Sequence, residues 1–214
     1  MRVKTFIVSM LETNGYIVFD EKTLDGIVID PGDSAEFFIE FIQKENVNIK
    51  YIALTHSHFD HIGGVEEIKA ETGAEIVFCE GEEVIAENPT NNLSALYDTP
   101  YNIKADKLLK DGEVITFGNL SAKVIKTPGH TPGGCCYYFE NEGVLFSGDT
   151  LFYGSVGRTD FPSGSFSDLI DGIKNKLMCL PDDTIVYCGH GPKTQIGFEK
   201  QNNPYIADNA GLFD

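Results

Sequence analysis

Thr55-His56-Ser57-His58-Phe59-Asp60-His61 decides how this chain is read. Four metal-capable side chains fall within six residues, directly after an apolar, strand-like run and before the helical spacing of Ile62, Val65 and Ile68. On a turn between strand and helix they can converge on one point. Neutral imidazole and carboxylate are the donors that a borderline divalent ion prefers. Gly63 and Gly64 then let the backbone turn tightly into the helix. A histidine-rich surface loop would look the same in isolation, but the other histidines argue against it. The protein has five, and the remaining two each sit just beyond a strand-like run: His130 in Thr127-Pro128-Gly129-His130-Thr131-Pro132-Gly133, and His190 in Cys188-Gly189-His190-Gly191-Pro192. None is left over for the surface. Asp149, in Gly148-Asp149-Thr150, would alone be a turn signal. Beside five strand-end histidines it becomes the candidate carboxylate to bridge two metals.

Outward from this cluster, β-branched and aromatic residues mark strands near 2–8, 15–20, 24–30, 49–54, 75–79, 103–108, 113–117, 120–126, 135–140, 144–148 and 184–188. Asp33 or Ser34 is placed to cap a helix running to about Glu45, and Ile62, Val65 and Ile68 predict another, ended by Gly73. The stripe Phe166, Leu169, Ile170, Ile173, Leu177 predicts a third, closed by Pro181, and a final helix covers about 194–202. Segment 82–102, with Pro89, Asn91, Asn92 and Pro100, reads as loop with a short helix, of a size to serve as a substrate-facing lid. Interleaved helices and strands with an antiparallel meander between them suit a β-sandwich with helices on both outer faces better than a doubly wound sheet. The 214 residues predict one compact domain over 1–214.

A net charge of −17, from 33 acidic and 16 basic residues, argues against nucleic acid as a partner. It also means that an anionic substrate would need a local positive site. No apolar run approaches the ~20 residues of a membrane-spanning helix. Arg2 and Lys4 precede an apolar stretch, but Ser9 breaks it and Glu12 stops it without a cleavage site, so a first strand and a cytoplasmic location are expected. Cys79, Cys135, Cys136, Cys179 and Cys188 show no metal-type spacing and read as buried, reduced thiols. Oligomeric state is not legible.

Taken together, His56, His58, Asp60, His61, His130, Asp149 and His190 resemble the full metal set of the metallo-β-lactamase superfamily. The resemblance implies an αββα fold of two mixed sheets with helices on both outer faces and the site on loops beyond strand ends. It implies that His56, His58 and His130 hold one metal, that Asp60, His61 and His190 hold the other, and that Asp149 bridges. Zinc is the first expectation, and iron or manganese suit the same donors. Asp30, in Ile29-Asp30-Pro31-Gly32, matches a family position where it would accept a hydrogen bond from a ligand imidazole; it also suits a plain turn before Pro-Gly.

Ser147-Gly148-Asp149-Thr150-Leu151-Phe152-Tyr153-Gly154 through Arg158-Thr159-Asp160-Phe161-Pro162 is similar to the short bacterial and archaeal glyoxalase II-like hydrolases, and to persulfide dioxygenases. The first resemblance implies hydrolysis of a small-molecule thioester, with Asp60 and Asp149 in the catalytic centre and a thiolate that leaves without much acid help. Arg158 stands where the family carries a basic residue that binds the glutathione part; pairing with Asp160 is its other reading. Asp160 replaces a family tyrosine, and the helical extension that grips glutathione is missing. An iron-dependent persulfide dioxygenase, a lactonase and a non-catalytic metal-binding protein are the alternatives.

Overall fold

The computed structural model describes residues 1–96 and 100–207. Strands β1 (Arg2–Val8), β2 (Thr13–Phe19), β3 (Asp25–Ile29), β4 (Asn48–Ala53), β5 (Glu75–Cys79) and β6 (Lys107–Leu109) form a six-stranded sheet in chain order. It is antiparallel from β1 to β3 and parallel from β3 to β6. The second half of the chain contributes β7 (Val114–Phe117), β8 (Leu120–Lys126), β9 (Cys135–Phe139), β10 (Val144–Gly148), a two-stranded ribbon of β11 (Leu151–Phe152) and β12 (Ser155–Val156), then β13 (Ile185–Cys188) and β14 (Thr194–Gln195). Six of these build the second sheet in the order β14-β13-β10-β9-β8-β7, with β10 and β13 as its parallel pair.

Helices α1 (Ala35–Glu45), α2 (Phe59–Ile62), α3 (Val65–Thr72), α4 (Glu83–Ala86), α5 (Phe166–Gly172, continued by a π turn over Ile173–Leu177) and α6 (Ile196–Asn202) complete the chain. β2 shows how the layers arise. Successive side chains of a strand point to opposite faces, and every residue of β2 is buried. Ile17 and Phe19 pack with Phe38 and Ile42 of α1 and Val65 and Ile68 of α3. Tyr16 and Val18 point the other way, into a core shared with Phe117, Tyr137, Phe139 and Phe146 of the second sheet. That sheet's outer face, with Leu145 and Val186, is covered by Leu169, Ile173 and Leu177 and by Ile196 of α6. The result is the expected αββα sandwich of two mixed sheets.

Several local expectations are corrected. The helix expected across Ile62–Ile68 is broken at Gly63 and Gly64, whose N–H groups donate to the carbonyls of Gly32 and Pro31. Ser34 occupies the cap position of α1 in the left-handed region (φ 52°) and makes no capping bond with its side chain. The strand expected at 103–108 is confined to Lys107–Leu109. The last helix begins only at Ile196, because Thr194 and Gln195 pair with β13. Four cysteines are buried and free, whereas Cys179, beyond the π turn, is free and exposed. Among the described residues no helix is long and apolar enough to cross a membrane. Segment 82–102 carries α4 and a 3₁₀ turn at Ser94–Leu96; its residues 97–99 lie outside the described residues.

Candidate metal centre

The candidate ligands lie beyond the C-terminal ends of β4, β8, β10 and β13. The parallel register sets Gly148 opposite Cys188, so Asp149 and His190 leave the sheet side by side. Gly148 adopts φ 48°, and a Cβ there would fall 2.0 Å from Thr55 Oγ1. Only glycine lets the backbone pass this close to the histidine loop. That loop is tied to the second sheet by the Cys135 N–H, which donates to the Thr55 carbonyl at 2.9 Å.

The donor atoms of His56, His58 and His130 lie within 4.8 Å of one another, and those of Asp60, His61 and His190 form a second such group. Asp149 stands between the groups. Its Oδ1 is 3.4 Å from His61 Nε2, and its Oδ2 is 3.6 Å from both His130 Nε2 and His190 Nε2. His56 Nε2 and Asp149 Oδ1 are buried without a hydrogen-bond partner. Buried polar atoms left unpaired are costly and rare, and a shared cation is what this donor set would satisfy. Each of the two groups could therefore hold a metal ion.

Four of the imidazoles are oriented from outside. His61 Nδ1 lies 3.1 Å from Asp30 Oδ2, His130 Nδ1 2.7 Å from the Arg158 carbonyl, and His190 Nδ1 3.0 Å from the Leu11 carbonyl. His56 Nδ1 lies 3.3 Å from Thr55 Oγ1, which itself donates to Asp30 Oδ2 at 2.6 Å. In a neutral imidazole an acceptor at Nδ1 places the proton there and leaves the Nε2 lone pair facing inward, the form a metal would bind. Asp30 also groups geometrically with His56 and His61. Its oxygens are already engaged by Thr55 N, Thr55 Oγ1 and His61 Nδ1, so it orients ligands and is not free to be one.

Burial, reinforced by neighbouring imidazoles, holds His56 neutral and brings His58 down to about 3. Burial opposes charge on His61 as well, but Asp60 and Asp149 outweigh it and raise its pKa well above normal. In the same way His61 overcomes the effect of burial on Asp149 and Asp60 and keeps both carboxylates ionised.

Two participants left no mark in the sequence. Thr13 Oγ1 donates to Asp60 Oδ2 at 2.9 Å, fixing that carboxylate from the start of β2. Glu82 stands between acidic neighbours Glu80 and Glu83, yet it is 1% exposed. Its Oε1 accepts from Ser57 N at 2.7 Å, and its Oε2 from Thr131 Oγ1 at 2.7 Å and Gly133 N at 3.0 Å. One carboxylate thus ties the loop of His56 and His58 to the loop of His130. Burial pushes the Glu82 pKa up from 4.5 to about 7. The folded state then holds this proton more tightly than the unfolded chain, so the stabilisation is complete below the unfolded pKa and is lost as pH rises through the folded one. Relative to Glu82→Gln, the wild type should lose about 3 kcal/mol of stability across that window. Denaturant melts of both proteins at several pH values test this, and parallel curves would refute it.

A cavity of about 330 Å³ opens over the centre, lined by Leu11, His58, Phe59, Asp60, Leu93, Asp149, Phe152, Arg158, Phe161 and His190. Arg158 reaches it, but its guanidinium is paired with Asp160 (Nε–Oδ1 3.0 Å, NH2–Oδ2 2.8 Å) and lies 4.6 Å from the Phe161 ring centroid. Leu93 is how segment 82–102 meets the cavity. The Asn92 carbonyl accepts from Phe59 N at 2.8 Å, and Tyr101 Oη donates to the Phe59 carbonyl at 2.6 Å.

A sequence profile of the Metallo-beta-lactamase superfamily matches residues 11–190, a span that holds every candidate ligand. The hydroxyacylglutathione hydrolase GloC of Haemophilus influenzae is 34% identical over 210 residues, 96% of this chain and 98% of its own. The B3 metallo-beta-lactamase BLEG-1 superposes with a TM-score of 0.90 at 37% identity, over 96% of this chain and 100% of that one. TTHA1623, solved in a di-iron-bound form, superposes at 0.84 with 30% identity, over 95% of this chain and 100% of that one.

Proposed function

Since this chain belongs to the Metallo-beta-lactamase superfamily and is a metallo-hydrolase of that group, we propose that it hydrolyses small-molecule S-acyl thioesters in the manner of glyoxalase II. The observation that carries the reading is the position of Asp149 between two three-donor groups, with Asp149 Oδ1 and His56 Nε2 buried and unpaired. His56, His58 and His130 would hold one ion, Asp60, His61 and His190 the second, and Asp149 would reach both. Bound there, the ions would supply Lewis acidity toward a carbonyl and lower the pKa of water.

The chain's own residues do the rest. Thr13 and Asp30 fix Asp60, His61 and, through Thr55, His56, so little reorganisation is needed at the centre. Among the described residues, the cavity lining contains no lysine or tyrosine to protonate a leaving group. A thiolate, with a pKa near 8.5, needs little such help, whereas an amide nitrogen does. The site therefore suits a thioester. Zinc and iron both match the donors, and the di-iron form of TTHA1623 makes iron a concrete candidate.

Elemental analysis of the purified protein, paired with S-D-lactoylglutathione hydrolysis, tests the reading. About two ions per chain, turnover abolished by a chelator and its recovery on adding metal back are expected. A β-lactam and a glutathione persulfide are run beside it. Oxygen uptake on the persulfide with a single iron, or turnover of the lactam alone, would replace the thioesterase reading.

A further inference from the structure

We propose that the acyl half of the substrate is an unsubstituted hydrocarbon chain, held on the His190 side of the cavity, with Leu11 and Phe152 setting specificity. The inference rests on the thioester reading above. The cavity has two unlike sides. On one, Phe161 packs edge-on against His58 and His130, with ring centroids 5.0 and 5.8 Å away, and the Arg158–Asp160 pair forms a polar rim. On the other, Phe152 stands 6.1 Å from the His190 ring, and Leu11 presents its side chain to the cavity while its carbonyl holds His190 Nδ1.

A hydroxyacyl group would want a hydrogen-bond partner on that second side. Among the described residues the lining has no hydroxyl or amide side chain, and its histidines and aspartates are the candidate metal ligands. An apolar chain needs no such partner and gains by covering Leu11, which is 48% exposed. Leu93 points to the same ligand. It lines the cavity from a left-handed backbone (φ 69°), a conformation that leucine adopts only at a cost and that asparagine or glycine takes readily. The turn is held by buried Asn92, whose Oδ1 accepts from Ser94 N at 2.9 Å. An apolar side chain is thus kept over the site where the backbone alone would favour a polar residue. The thiol half is left to the polar rim, where Arg158 pairs with Asp160.

The test holds the thiol constant and uncharged. S-acetyl, S-butanoyl, S-hexanoyl and S-D-lactoyl thioesters of N-acetylcysteamine are assayed with metal-loaded protein. Each added methylene is expected to raise kcat/KM by about two- to fourfold, with the lactoyl ester below the butanoyl. Leu11→Ser, in an exposed turn, and Leu93→Asn, which relieves the backbone, should each flatten the chain-length dependence. A flat series, or a preference for the lactoyl ester, overturns the proposal. Calorimetric binding of the inert thioethers S-methyl- and S-hexyl-N-acetylcysteamine to metal-free protein reads the wall without turnover. Tighter hexyl binding that Leu11→Ser abolishes supports the apolar wall even if no thioester is cleaved, in which case the thioesterase reading alone fails. Equal binding of the two thioethers rejects the wall.

Discussion

Asp149→Asn is expected to lower kcat/KM by roughly 10³-fold or more and to leave at most one ion per chain. Asp149 lies within 3.6 Å of donor atoms in both groups, approaching His130 in one and His61 and His190 in the other. An asparagine keeps the shape but loses the charge, and it turns an N–H donor toward lone pairs that must face a cation. Because Asp149 Oδ1 lies 3.4 Å from His61 Nε2 and helps hold that imidazole charged, the metal-free variant should melt modestly below metal-free wild type without losing its fold. Elemental analysis, a thioester assay and a melt of the metal-free form separate the possibilities. Two retained ions with full turnover would remove Asp149 from the bridging position, and a collapsed melt would assign it a role in the fold.

Asp30→Asn should weaken metal binding by about 10- to 100-fold and destabilise the metal-free fold by about 1–3 kcal/mol. The buried carboxylate accepts from Thr55 N at 2.8 Å, Thr55 Oγ1 at 2.6 Å and His61 Nδ1 at 3.1 Å. An amide must set a donor against one of these donors. The effect should reach both groups, directly through His61 and by way of Thr55 through His56. Thr55→Val cuts only the second route and should weaken binding to the His56 group alone. Competition titrations against a chelator resolve the two affinities. If both variants lower the two affinities equally, the Thr55 route is not a separate one.

The candidate ligands were legible because they follow strand ends in short motifs, although Asp60 and His61 prove to lie in α2. The sandwich followed from the alternation of helical and strand periods, with β2 buried on both faces. What could not be read depended on contacts far apart in the chain. Glu82 looks like its acidic neighbours until loops 25 and 49–51 residues away close around it. Thr13 meets Asp60 across 47 residues. The break at Gly63 and Gly64, two poor helix formers, takes its form from the Pro31 and Gly32 carbonyls, which accept their N–H groups. Arg158 is locally decided, since its partner is two residues away, and pairing with Asp160 is the state observed.

All of the first sheet comes from residues 2–109 and all of the second from residues 114–195. Each donor group draws on both halves: His56 and His58 with His130, and Asp60 and His61 with His190. Neither half can build the centre alone. As the chain leaves the ribosome, the first sheet can complete its strands while Tyr16, Val18, Ile27, Ile29 and Val77 still await their covering layer. A metal held by residues of both halves would bind only once they have met, a clasp across a closed seam. By mass action, free metal at a thousandfold above its dissociation constant would add about 4 kcal/mol to the clasped state. Metal supply would then set the lifetime of the protein in the cell, and not only its rate.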